Sequence, residues 1–176
     1  MTDFHLPIQA IKGRGMSHRQ PYRFERDARS AFDDGWGTVD EAMALGEEAA
    51  APETQVSFEV ARSAITRNES PDLGFTLGLN PYRGCEHGCV YCYARPSHSY
   101  LNLSPGLDFE TRLVAKRNIA AVLRDELLRP GFVPERLAVG TVTDAYQPIE
   151  RELRLTREVL EVLSAANFPL AMVTKG

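Results

Sequence analysis

Apolar and polar positions follow two regimes along the chain, and the change comes near residue 60. Up to that point there is no sustained period of two or of 3.6. From Lys12 to Arg29 the chain is basic and polar, with Lys12, Arg14, Arg19, Arg23, Arg26 and Arg29. From Asp33 to Glu59 it is acidic and contains neither Lys nor Arg. Such charge blocks read as a solvated, flexible N-terminal extension over residues 1–60. The other reading has the basic arm touching nucleic acid or folding over the rest of a larger protein, with Phe24, Phe32 and Trp36 as anchors.

Beyond residue 60 the pattern becomes regular. Thr76 to Asn80 reads as a short strand running into Pro81, and a Gly- and Cys-rich loop follows from Arg83 to Arg95. Ser97 to Asp108 is loop-like, with Ser104-Pro105-Gly106 as a turn signal. Phe109 to Lys116 suits a strand or a strand-to-helix transition. Asn118 to Leu128 is helical: Ile119, Val122, Leu123, Glu126 and Leu127 mark one face, Asn118 stands at the N-cap, and Pro130-Gly131 ends it. Arg136 to Thr143 is a β-branched run expected as a buried strand. Glu150 to Ala166 carries Leu153, Leu155, Val159, Leu160, Val162 and Leu163 as a second amphipathic helix, and Phe168 to Thr174 is another apolar strand. Strand–helix–strand alternation implies βαβ units and a parallel sheet, hence an α/β fold over residues 61–176. A parallel strand needs neighbours on both sides, so a chain stopping at Gly176 right after one is expected to be the N-terminal part of a longer barrel.

Composition narrows the function classes. The 176 residues are 43% hydrophobic and 25% charged, with a net charge of −4. The chain as a whole lacks the basic excess of a general nucleic-acid binder. No apolar run approaches the roughly 18 residues of a membrane-spanning helix. Met1 to Ala10 carries Asp3 and His5 and no apolar signal core, so a cytoplasmic location without membrane association is expected.

All three cysteines, Cys85, Cys89 and Cys92, fall inside eight positions. An odd, crowded set is a poor disulfide framework and reads first as a metal site. Their C-x3-C-x2-C spacing places three soft thiolates on one compact loop, as iron–sulfur chemistry requires. One iron of a cubane would then lack a protein thiolate and stay open to a ligand. A zinc site completed by His87, His98 or a fourth ligand elsewhere is the competing reading, although the two separated pairs of a zinc knuckle are absent.

C-x3-C-x-aromatic-C after a strand, with Tyr91 at the aromatic position, resembles the signature of the radical S-adenosylmethionine (SAM) superfamily. The wider context, NPYRGCEHGCVYCYARPSH with TDAYQPIE and a terminal TKG, is similar to the spore photoproduct lyase-related branch. The resemblance covers about residues 60–176. It implies the first βα units of a partial (β/α) TIM-like radical SAM barrel. It also implies a [4Fe–4S] cluster on Cys85, Cys89 and Cys92, with SAM bound at the open iron and an electron donor such as flavodoxin or ferredoxin. In that picture Tyr91, Tyr93, Thr143, Asp144 and Lys175 line the SAM pocket, with Lys175 pairing with the SAM carboxylate. Hydrogen abstraction from an unknown substrate, nucleic acid among the candidates, follows. Photoproduct lyases place a quenching cysteine just before the hydroxyl–Asp pair, where this chain has Val142. A DNA repair lyase-like activity or a non-catalytic iron–sulfur module are the alternatives. Arg83, His87, Arg95 and His98 flank the loop, and Tyr146, Gln147 and Glu150 follow the Thr–Asp pair as weaker candidates.

Overall fold

A computed structural model of the chain describes residue 11, residues 13–25 and residues 52–176. The fold is mixed α/β with two small sheets. Strand β1 is Gln55–Glu59, β2 is Ile65–Arg67, β3 is Leu77–Leu79, β4 is Tyr82–Arg83 and β5 is Arg112–Lys116. Strands β6, Leu137–Val139, and β7, Leu170–Met172, complete the set. Helix α1 is Asp108–Thr111, α2 is Ile119–Leu127, α3 is Glu150–Leu153 and α4 is Leu155–Ala165, and a 3-10 helix spans Arg95–Leu101. No helix among the described residues is long and apolar enough to cross a membrane.

The larger sheet runs β2-β3-β6-β7. β3, β6 and β7 are parallel, with Leu79 beside Val139 and Val139 beside Met172, and β2 is antiparallel on the outer side of β3. These are the βαβ units expected from the alternation, with α4 as the crossover from β6 to β7. The smaller sheet runs β1-β5-β4.

Leu77, Leu79, Leu137 and Val139 are fully buried, as expected of strands covered on both faces. α2 buries Ile119, Leu123 and Glu126, and α4 buries Leu155, Thr156, Val159 and Leu163. The spacings of three, four and seven put each set on one face. The apolar ones among them form the main core together with Ala64, Tyr82, Ala115 and Ala145.

Three local features differ from the expected pattern, and Glu126, expected on the apolar face of α2, is accounted for by its partners. Asn118 sits at the N-cap of α2 but makes no cap hydrogen bond. Its amide instead accepts from the Ala61 N–H at 2.7 Å and donates to the Ala61 carbonyl at 2.9 Å. Glu126 is buried because its carboxylate accepts the N–H groups of Ala64 and Ile65, which open β2. Phe109 to Lys116 begins as a helical turn and ends as a strand. The single helix expected over 150–166 is two, divided at Arg154, whose φ of 54° is left-handed. There the carboxylate of Glu150 accepts the N–H groups of Thr156 and Arg157 at 3.0 Å each and the buried Tyr82 hydroxyl. One side chain thus caps the start of α4.

Two pieces of residues 1–60 are bound to the rest. β1 pairs with β5 in parallel, Val56 beside Leu113 and Phe58 beside Ala115. Residues 13–25 lie against Ser104 to Glu110, with the Leu107 N–H donating to the His18 carbonyl at 3.2 Å. Phe24 meets Tyr100 at a ring distance of 6.0 Å. Phe32 and Trp36 lie outside the described residues.

Candidate functional site

The cysteine loop leaves β4 through Gly84, whose φ of 80° belongs to the left-handed region that favours glycine. The site is also crowded. A Cβ on Gly84 would stand 2.8 Å from the Phe109 carbonyl oxygen and 2.9 Å from Leu113 Cδ2. The Gly84 carbonyl accepts the Thr143 hydroxyl at 2.6 Å, and the Cys85 N–H donates to the Phe109 carbonyl at 2.9 Å. Gln147 is fully buried. Its amide donates to Thr143 Oγ1 at 3.2 Å and accepts the Glu86 N–H at 3.2 Å. Glu86 in turn accepts the Ile149 N–H at 3.2 Å. Residues 143–149 therefore hold the first part of the loop from below.

The three thiols are free. Cys85 is buried, and burial pushes its thiol up to about 11, although the N–H groups of His87 and Asp144 point at the sulfur and favour the thiolate. Cys89 and Cys92 are half-buried, and the Cys92 N–H donates to the Cys89 carbonyl at 3.2 Å. Cys85 clusters with Ala94 and Phe109, with Cys92 and Val142 packed against them. Among the described residues, no group of three or more His, Cys, Asp or Glu side chains converges as a metal-binding set. The donors themselves suit a soft metal: three thiols on one loop, with N–H groups and an ammonium beside them.

That ammonium belongs to Lys175, beyond the end of β7. Its Nζ lies 3.6 Å from Cys89 Sγ and 3.4 Å from the His87 carbonyl. Asp144, beyond the end of β6, accepts the Lys175 N–H at 2.6 Å, the Thr174 hydroxyl at 2.8 Å and the Tyr146 N–H at 2.8 Å. Burial alone would raise the Asp144 carboxyl. The donors from Lys175, Thr174 and Tyr146, with His87 nearby, outweigh it and hold the group below the usual carboxylate range. His87 Nε2 is 3.6 Å from Asp144 Oδ2, buried, and without a hydrogen-bond partner. At the end of β3, Asn80 accepts the Val142 N–H at 2.9 Å and pairs with Thr141. The C-terminal ends of β3, β6 and β7 thus meet under one loop. In parallel α/β sheets, that end of the strands is where ligands bind.

Of the residues singled out from the sequence, Cys85, Cys89, Thr143, Asp144 and Lys175 gather here, with Gln147 and His87. Tyr93 is exposed and its hydroxyl donates to the Thr141 carbonyl. Partial burial, with Cys92 close by, pushes that hydroxyl up. Tyr91 is 82% exposed and stands apart from this network. Arg83 pairs with Glu59 at 3.3 Å rather than with the loop. His98 is fully buried edge-on to Phe109, its Nε2 2.9 Å from the Arg112 carbonyl, and burial lowers its pKa.

A buried ion pair escaped the sequence reading. Arg95 donates to the Cys89 carbonyl at 3.0 Å, to the Gly106 carbonyl at 3.0 Å and to Glu110 Oε1 at 2.5 Å. Glu110 has no exposed surface. The Phe109-Glu110-Thr111-Arg112 pattern offers no sign of it, because the partner that justifies burying the charge lies 15 residues away. A hollow of about 670 Å³ between α2 and α4, lined by Ala120, Arg124, Leu127, Glu158 and Val162, is separate from the cysteines. Its lining contains no thiol or histidine.

No family model matches the chain, and no solved structure matches it significantly. An uncharacterized protein of Mycobacterium tuberculosis and one of Mycobacterium bovis are each 44% identical over 124 residues, covering 69% of this chain and 36% of the relative. An uncharacterized protein of Methanocaldococcus jannaschii is 31% identical over 116 residues, covering 66% of this chain and 40% of the relative. The chain thus spans less than half the length of these relatives.

Proposed function

We propose that this chain is the N-terminal part of a radical SAM enzyme, its fold the first units of a partial (β/α) barrel. The observation that carries the reading is the meeting of the Cys85–Cys92 loop with three parallel strand ends, where Lys175 Nζ lies 3.6 Å from Cys89 Sγ. A cluster of four irons and four sulfides on three thiolates, when bound, supplies an open iron for SAM and the electron that splits it into methionine and a 5′-deoxyadenosyl radical.

The chain's own residues supply position and charge. Thr143 and Gln147 fix Gly84, and with it Cys85. The N–H groups of His87 and Asp144 stabilise the Cys85 thiolate that a metal requires. Lys175 places a cation at the strand-end face, where it offsets the negative charge of the thiolates and suits a carboxylate ligand. Asp144 neutralises no part of that cation directly. It takes the backbone N–H of Lys175 and so sets where the side chain starts. Val142 packs beside Cys85 and Cys92 and offers no thiol, which counts against the photoproduct lyase route.

The test is anaerobic reconstitution of the full-length protein with iron and sulfide, followed by dithionite and SAM. The expected result is about four irons per chain and formation of 5′-deoxyadenosine, both lost in Cys85→Ala, Cys89→Ala and Cys92→Ala. One bound zinc with no sulfide, or a loaded cluster that leaves SAM intact, overturns the reading.

A further inference from the structure

We infer that residues 14–20 form a strap that positions the Cys89 side of the cysteine loop, acting through Glu110 and Arg95; its meaning for a cluster rests on the function proposed above. Three observations support it. First, two glycines interlock. A Cβ on Gly15 would overlap the Gly88 carbonyl, and a Cβ on Gly88 would stand 2.8 Å from the Gly15 nitrogen. Gly88 itself has a φ of 61°, so the strap and the loop each need a bare backbone at this crossing.

Second, the strap is anchored on both sides of that crossing. Arg14 donates to the Glu110 carbonyl at 2.9 Å, the Pro52 carbonyl at 3.0 Å and Thr54 Oγ1 at 2.9 Å. Arg19 pairs with Asp108 at 3.0 Å, and the Gln20 carbonyl accepts the Ser104 hydroxyl at 2.5 Å. Third, the strap and the loop share one buried carboxylate. The Gly15 N–H donates to Glu110 Oε2 at 2.8 Å, while Arg95 holds Oε1 and passes the constraint to the Cys89 carbonyl.

A buried pair whose members also hold other groups transmits displacement, because a lone buried charge is far costlier than the pair. Cys85 is held through the Phe109 carbonyl and the Thr143–Gln147 network, and no strap residue bonds to it directly. The strap therefore acts on the loop unequally: loosening it frees Cys89 and leaves Cys85 in place.

The experiment uses the full chain in its reduced, metal-free form. Iodoacetamide alkylation is followed at each cysteine separately by peptide mass, in the wild type, in Gly15→Val and in Arg14→Ala. Gly15→Val forces the crossing apart, and Arg14→Ala loosens the anchor without adding bulk. The expected result in both is about a fivefold rise in the Cys89 rate with the Cys85 rate within about twofold of wild type, since alkylation follows thiol access and thiolate character. After anaerobic loading with ferrous iron and sulfide, iron per chain falls to less than about half in Gly15→Val, one ligand being displaced. An unchanged Cys89 rate in both variants overturns the inference. Equal acceleration of Cys85 and Cys89 also overturns it, because that is the signature of general unfolding. A wild type that takes up no iron with sulfide defeats the proposed cluster instead, and the alkylation pattern still decides whether the strap positions Cys89.

Discussion

Gly84 and His98 show what a single residue does under this loop. Gly84 combines a positive φ with carbonyl and methyl contacts under 3 Å to any added Cβ. Gly84→Ala is expected to lower stability by about 1–3 kcal/mol, read as a lower urea midpoint with the slope unchanged. The sequence marks Gly84 as a glycine of the cysteine loop, but the Phe109 carbonyl that excludes a side chain comes from 25 residues further along. His98 is fully buried, and burial lowers its pKa below the ordinary histidine value. Below about pH 6.5 the unfolded chain binds a proton here that the folded chain refuses, so stability falls with falling pH, by at most about 1.4 kcal/mol per pH unit from one site. Urea midpoints measured from pH 7.5 to 5.5 are expected to decline in the wild type and to flatten in His98→Gln. A parallel decline in both would remove His98 as the cause. In sequence, His98 read as a flank of the cluster loop able to complete a zinc site. Tertiary packing against Phe109 gives it a different task.

At the scale of elements, periodicity was informative where a face is apolar. The helix expected over 118–128 is observed over 119–127, and the strands expected in 76–80, 136–143 and 168–174 form with shorter ends. Glu150 shows where periodicity stops being enough. The apolar stripe of 150–166 continues across Arg154, yet the backbone breaks there. Nothing in the stripe reports that Glu150 turns back to cap Thr156 and Arg157 and to take the Tyr82 hydroxyl. Burial, with the carboxylate adding to it, raises the Tyr82 pKa far above its ordinary value, so that hydroxyl stays a donor. Glu150→Ala leaves two N–H groups and the buried Tyr82 hydroxyl without their carboxylate acceptor, and is expected to cost about 2–3 kcal/mol. Thermal unfolding checks it, and a shift smaller than that of an exposed control such as Glu152→Ala would contradict the capping role.

For the molecule as a whole, the site draws on residues 84 to 175 and on the strap at 14–20, so no local window contains it. Asp144 is the joint between two strand ends. Asp144→Ala is expected to release Thr174 and the Lys175 backbone and to move Nζ away from Cys89. On the function proposed above, SAM then binds about tenfold more weakly to the loaded protein, with iron content unchanged. Retention of SAM affinity alongside a normal iron content would show that Lys175 holds its place without Asp144. The same carboxylate is stabilised as an anion by its donors, so its contribution to stability is present above about pH 4 and is lost as pH falls below that value.

What the sequence determined by itself is the grouping of the three thiols on one loop and the apolar period. The eight-position span of Cys85, Cys89 and Cys92 keeps the three thiols on one loop, and the buried faces of α2 and α4 follow from apolar spacing. The tertiary structure decided what these elements meet. It brought Asp144, Thr174 and Lys175 to the loop through parallel strand pairing. It buried Arg95 with Glu110, and it laid Gly15 across Gly88 from more than seventy positions away. The physical reason is range. Side-chain period and metal-ligand spacing act over a few residues along the chain. Burial of a charge, a glycine crossing and the meeting of strand ends each depend on a partner that only folding brings near.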